Sequence, residues 1–205
     1  VTTPIKAVVF DVGGVLLDWS PYYLYRSLLP DDAAIEAFLA EVTTHEWNYQ
    51  QDAGRPWPEA IAELIAQHPQ HEALIRAYDE RWAEMVSGTI EDTVAIFREL
   101  KAKGLPVYGL TNFSEAKWLI SVAEWPILQE FDGVVVSGVE RLVKPAPEIY
   151  ELLLDRFGLE ASSTFYIDDV MHNVEGARAV GMESEQFVGA ATLREQLVAR
   201  GVLGK

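Results

Sequence analysis

Four stretches of this chain, far apart in sequence, carry residues able to act on an anionic group. Asp11 follows an apolar run over residues 5–10 and precedes Val12-Gly13-Gly14. A carboxylate is thus placed at a strand's carboxyl end, where glycines let the backbone approach a ligand. Such an aspartate is suited to attack a phosphate, or a carbon that bears a halide. Thr111 and Asn112 follow a second apolar run, Lys144 precedes a helical stretch, and Asp168-Asp169 end a further apolar run. Taken singly, each has an ordinary reading as a turn former, a helix cap or a solvated lysine. Together they lie beyond successive strands, where open parallel sheets bind ligands, and this points to one shared crevice.

The elements that must position these residues follow from the pattern. Residues 5–10, 105–110, 133–136 and 164–167 read as short apolar strands, as expected of a parallel sheet covered on both faces, and 184–188 reads as a weaker one. Helical spacing fills the gaps. Ile90, Val94, Phe97 and Leu100 share one face until Gly104, with Thr89 to Asp92 arranged as a capping box. Ser114 is placed to cap the next helix, and further helices are expected over 145–157, 172–180 and 192–200. Alternating strands and helices predict an α/β fold, a doubly wound parallel Rossmann-like sheet. One interruption stands out. Residues 17–88 read as helices over 33–42, 58–67 and 73–86, punctuated by Pro30, Gly54-Arg55-Pro56 and Pro69. This predicts a Rossmann-like core from 1–16 and 89–205, with 17–88 inserted as a helical cap domain.

Composition narrows the functions. With 205 residues and 49% apolar content the chain can bury a substantial core. It has no cysteine, which excludes disulfides, thiol nucleophiles and cysteine-based zinc sites. A net charge of −16 argues against a nucleic-acid partner. It also means that a phosphate site needs a cation and local donors to reverse the sign of the field. No run approaches the roughly 18 apolar residues of a membrane span, so no membrane partner and a cytoplasmic location are expected. A monomer or homodimer is expected.

The motifs Phe10-Asp11-Val12-Gly13-Gly14-Val15, Leu110-Thr111-Asn112, Lys144-Pro145-Ala146-Pro147-Glu148-Ile149-Tyr150 and Tyr166-Ile167-Asp168-Asp169, with Asn173-Val174-Glu175-Gly176-Ala177, occur in order over almost the whole chain. In this the chain resembles the haloacid dehalogenase superfamily. The insert is similar to the family's C1 cap, and its Gly54-Arg55 break resembles the dehalogenase and beta-phosphoglucomutase branch. The resemblance implies that Asp11 attacks phosphorus to form an aspartyl-phosphate. It implies Mg²⁺ held by Asp11, the main-chain oxygen of Gly13 and Asp169, with Asp168 supporting the metal directly or from behind. Thr111, the amide of Asn112 and Lys144 would take phosphate oxygens, and Asn173 would brace the fourth motif, unless it is simply a helix N-cap.

One position departs from the family pattern. Most phosphatases of the superfamily carry a second aspartate two residues after the nucleophile, to protonate the leaving oxygen and activate water; here it is Gly13. General acid–base help is worth about 10²–10⁴ in rate. Three readings accommodate the loss. A phosphatase for esters with good leaving groups is preferred, a sugar 1-phosphate above all, and glucose-1-phosphate phosphatase-like members carry a similar Asp-x-Gly sequence. A 2-haloacid dehalogenase is the second, since halide leaves without a proton, although that branch is metal-free and lacks the aspartate pair. A catalytically weakened binding protein is the third. Asp18, Trp19, Trp47 and Arg55 are the expected cap contacts to substrate, with Tyr49 and Trp57 nearby.

Overall fold

A computed structural model describes residues 3–204. Five parallel strands form the central sheet, in the order β5-β4-β1-β6-β7. They are β1 (Ala7–Phe10), β4 (Val107–Thr111), β5 (Gly133–Val136), β6 (Thr164–Asp168) and β7 (Glu183–Gln186); β2 (Leu17–Trp19) and β3 (Val86–Thr89) pair separately as an antiparallel ribbon. The helices are α1 (Pro21–Tyr25), α2 (Asp32–Glu41), α3 (His45–Asp52), α4 (Trp57–Gln67), α5 (Glu72–Glu80), α6 (Glu91–Ala102), α7 (Glu115–Glu124), α8 (Ser137–Glu140), α9 (Pro147–Phe157), α10 (Met171–Ala179) and α11 (Ala190–Ala199).

Burial explains why β1 reads as an unbroken apolar run. Val8 and Phe10 join the apolar cluster on one face of the sheet, while Val9 joins the cluster with Ile149, Leu153 and Tyr166 on the other. With both faces covered, alternation has no polar side to show. The first of these clusters continues without a break into the insert, where Tyr25, Trp47, Trp57, Tyr78 and Trp82 are buried. The helical segment between β2 and β3 thus shares its core with the sheet.

The ribbon corrects the reading of 17–88 as helical throughout. Leu17 pairs with Thr89 and Asp18 with Gly88, so the chain leaves toward the insert and returns along two hydrogen-bonded neighbours. Strands of three or four residues carry almost no periodic signal, because their pairing partner lies far away in sequence. The same pairing overturns the expected capping box. Thr89 ends β3, Ile90 occupies the N-cap of α6 without a side-chain bond, and the Thr89 hydroxyl instead meets the Glu91 carboxylate. Gly104 ends α6 as expected, with φ +77°.

Candidate active site

The carboxyl ends of β1, β4 and β6 converge as their sequence predicted. The Lys144 ammonium lies between two carboxylates, 2.9 Å from Asp11 Oδ1 and 2.6 Å from Asp168 Oδ2, and donates to the Leu110 carbonyl at 3.1 Å. Its side chain is 1% exposed. Burial alone would lower this ammonium's pKa; the charges of Asp11 and Asp168 outweigh it and hold the pKa above the ordinary value. Asn112 fixes the lysine's backbone from both sides, its Oδ1 accepting from Lys144 N–H at 2.8 Å and its Nδ2 donating to the Lys144 carbonyl at 3.0 Å. That side chain is committed to the Lys144 backbone, and Thr111 and main-chain N–H groups are the other donors on this loop.

Asp168 is the most heavily bonded group of the site. It accepts from Lys144, from the Tyr166 hydroxyl, from Val170 N–H at 2.8 Å and from Asn173 Nδ2 at 3.1 Å to each oxygen. Burial would raise its pKa, but Lys144 and these donors hold it below the carboxylate value. Asn173 therefore braces the Asp168 carboxylate, and Val170, not Asn173, takes the N-cap of α10.

Asp11 and Asp169 behave differently. Burial pushes the Asp11 carboxyl up, Lys144 pulls it down, and Asp168 and Asp169 push it up again; the outcome is a raised pKa. Asp169 is raised by burial and by Asp168. Oxygens of Asp11, Asp168 and Asp169 lie within 4.8 Å of one another. Three carboxylates thus face one ammonium, a formal −3 against +1, and a divalent cation would balance the remainder. All the donors are hard oxygens, which suits magnesium. Gly14 makes room for this cluster: a Cβ there would lie 2.4 Å from Asp169 Oδ2, and the residue's φ of +72° favours glycine in any case.

Above this floor opens a cavity of about 460 Å³, which Asp11, Gly13, Thr111, Asn112, Lys144, Asp169 and Asn173 line from below. Its wall is largely aromatic: Trp19 from β2, Tyr49 from α3, Trp57 from α4, Trp82 from the 3₁₀ helix that leads into β3, and Phe113 from the loop after β4. A single helix, α3, supplies His45, Asn48, Tyr49 and Asp52. These stand at i, i+3, i+4 and i+7, one helical face. Trp47 and Gln51 point the other way and are buried.

The family profile of the haloacid dehalogenase-like hydrolases matches residues 5–181. The chain belongs to that family. It is 31% identical over 186 residues to the sesquiterpene phosphatase astK of Aspergillus oryzae, covering 88% of each chain. It is 24% identical over 201 residues to a phosphorylated carbohydrates phosphatase of Thermotoga maritima, covering 87% of this chain and 83% of the relative. In fold it is similar to a haloacid dehalogenase family enzyme of Bacteroides thetaiotaomicron solved as a magnesium complex. The TM-score is 0.70 at 20% identity, covering 90% of this chain and 94% of that one.

Within this haloacid dehalogenase-like site the expected substrate contacts on the insert divide. Trp19 lines the cavity. Asp18 does not; it accepts from the Tyr23 hydroxyl at 2.8 Å and the Ser87 hydroxyl at 2.5 Å on the outside of the ribbon. Trp47 is packed edge-on between Trp57 and Tyr78, with ring centroids 5.8 and 5.3 Å away. Arg55 turns outward to pair with Glu63 and with Gln50 at 2.9 Å. Ser114 stands at the N-cap of α7 as expected, yet its hydroxyl accepts from Trp57 Nε1 at 2.9 Å and makes no bond to its own helix. Asn48, Asp52, Trp82 and Lys117 escaped sequence reasoning, although the spacing of the polar face on α3 was a readable signal.

Proposed function

We propose that this chain is a magnesium-dependent phosphatase acting on a small phosphomonoester, with residues 17–88 serving as the cap that selects the ester. The observation that carries this reading is the Lys144 bridge between Asp11 and Asp168, with Asp169 alongside on the floor of the cavity. A magnesium ion held by Asp11, the Gly13 carbonyl and Asp169 would supply the positive charge that the phosphate needs. Asp168, its oxygens already engaged, orients Lys144 from behind. Asp11 attacks phosphorus in line, an Asp11–phosphorus bond forming as the bond to the ester oxygen breaks. Water then attacks the aspartyl-phosphate, releasing inorganic phosphate and restoring the carboxylate. Thr111 and the Asn112 N–H hold the phosphate oxygens through both steps, while Lys144, its three donors directed at Asp11, Asp168 and the Leu110 carbonyl, contributes its charge.

The organic group of the ester lies against the aromatic wall. A sugar 1-phosphate satisfies the leaving-group argument and can stack on such rings. An apolar group suits Trp19, Trp57, Trp82 and Phe113 better still, and the similarity to a sesquiterpene phosphatase supports it. The dehalogenase reading is weaker: the carboxylates grouped with Asp11 repel the carboxylate of a haloacid. The test is phosphate release from sugar 1-phosphates, prenyl phosphates, aryl phosphates and phosphoglycolate, and halide release from 2-haloacids, each with and without Mg²⁺ and beside Asp11→Asn. Mg²⁺-dependent phosphate release that Asp11→Asn abolishes is expected. Halide release without metal would replace this reading with the dehalogenase one.

A further inference from the structure

Glycine at position 13 leaves the floor of the cavity without a proton donor, and an ideal Cβ built there meets nothing within 4 Å. The last residue of α3, Asp52, brings a carboxyl onto the wall of the same cavity. Among the lining residues, Asp11, Asp52 and Asp169 are the carboxylates, and Asp52 is the one the insert contributes. Its position is fixed. Asp52 Oδ2 accepts from Asn48 Nδ2 at 3.1 Å, Asn48 Oδ1 accepts from the Tyr78 hydroxyl at 3.1 Å, and the Asp52 carbonyl accepts from the Ser137 hydroxyl at 2.6 Å. Among the described residues no lysine or arginine makes an ion pair with it.

We propose that Asp52 is the acid–base residue of this site, delivered from the insert in place of the side chain that Gly13 lacks. The assignment rests on the phosphatase reading and deepens it. In the first step the protonated Asp52 gives its proton to the ester oxygen as the phosphorus–oxygen bond breaks, so the alcohol leaves neutral. In the second, the Asp52 carboxylate takes a proton from the water that attacks the aspartyl-phosphate; Asp11 is restored, and Asp52 ends protonated as it began. The surroundings suit both roles. Burial pushes the Asp52 carboxyl up to about 7, against the pull of a backbone hydrogen bond from Ser114 and the charge of Lys144. An acid that titrates near neutrality is the efficient one there. The other titratable groups interacting with it are Tyr49 on its own helix and Tyr78 from α5; Lys117 of α7, which lines the same cavity, is already paired with Asp79.

The experiment compares wild type with Asp52→Asn on aryl and alkyl phosphates whose leaving alcohols span a wide range of pKa. Loss of about 10²-fold or more in kcat/KM is expected on alkyl esters. Little change is expected on nitrophenyl phosphate, whose leaving group needs no proton. The fall of wild-type kcat/KM above about pH 7 on alkyl esters should vanish in the variant. Because the gap beside Gly13 admits a side chain, Gly13→Asp in the Asp52→Asn background should restore alkyl ester hydrolysis, which also guards against a variant that merely folds badly. An equal loss on every leaving group, with the pH limb kept, would overturn the assignment and make Asp52 a docking residue. Absence of phosphate release by wild type from any ester would instead remove the phosphatase reading, and this one with it.

Discussion

The floor and the wall of the cavity are built on opposite rules. On the floor, every buried polar atom of Lys144, Asp168 and Asn173 has a partner, so each side chain is held in one geometry. On the insert, Trp19 Nε1, Thr43 Oγ1, Trp47 Nε1 and Gln51 Oε1 are buried without one. A floor so fully satisfied fixes the positions of the reacting groups, which the chemistry requires whatever the ester. Of these four only Trp19 lines the cavity, and a wall made largely of aromatic faces makes few directional demands on the organic group it meets. On the proposed phosphatase reading, this difference separates what is done to the phosphate from which ester brings it.

Substitutions on the two sides should therefore fail in different ways. The largest effect is expected from Asp11→Asn, a loss in kcat of about 10⁴-fold or more, read by phosphate release. Lys144→Met comes next. It strands a carboxylate of 0% exposure, and urea unfolding should show destabilisation of about 3–5 kcal/mol. A variant as stable as wild type would mean that the floor is less committed than its bonding suggests. Trp57→Phe, on the wall, removes the donor to Ser114 and should cost about 1 kcal/mol, with KM for bulky esters changing more than kcat. A kcat effect as large as that of a floor variant would erase the distinction. The protonation of Asp52 should also appear in stability. Its folded pKa of about 7 lies above the ordinary 3.8, so the folded state holds this proton more tightly. That contribution is complete below about pH 4 and is lost as pH rises to about 7. Asp52→Asn lacks the titration, so its melting temperature relative to wild type should climb across that window and level off above it. The smallest effect belongs to Arg26→Ala, which removes an exposed pair with Asp32 and should leave the urea unfolding midpoint almost unchanged.

The same contrast decided what the sequence could reveal. Asp11, Thr111, Lys144 and Asp169 were legible because strand ends in a parallel sheet have a fixed relation to the crevice, so local pattern implies distant convergence. The parallel sheet itself followed from the alternation of strands and helices. On the insert that link is broken. Trp47 and Trp57 are both buried tryptophans on neighbouring helices, yet one lines the cavity and the other does not. Their difference depends on how the helices pack, which helical periodicity does not encode. Arg55 shows a related limit: a charged residue beside a loop break looks available for substrate, but Glu63, eight residues on, captures it. Ser114 was placed correctly at a helix start, and a tryptophan from the other side of the cavity took its hydroxyl.

The β2–β3 ribbon has a consequence for how such a molecule can be rebuilt. Because Leu17 and Thr89 are paired neighbours, the whole stretch between them begins and ends at nearly one point. It can be treated as a cassette: exchanged for another insert of different length at small cost in loop closure, provided the newcomer covers the apolar surface that the two parts share. Residues 17–89 would then travel as a unit, taking Asp52 and most of the aromatic wall with them and leaving Asp11, Lys144 and Asp169 in the remaining scaffold.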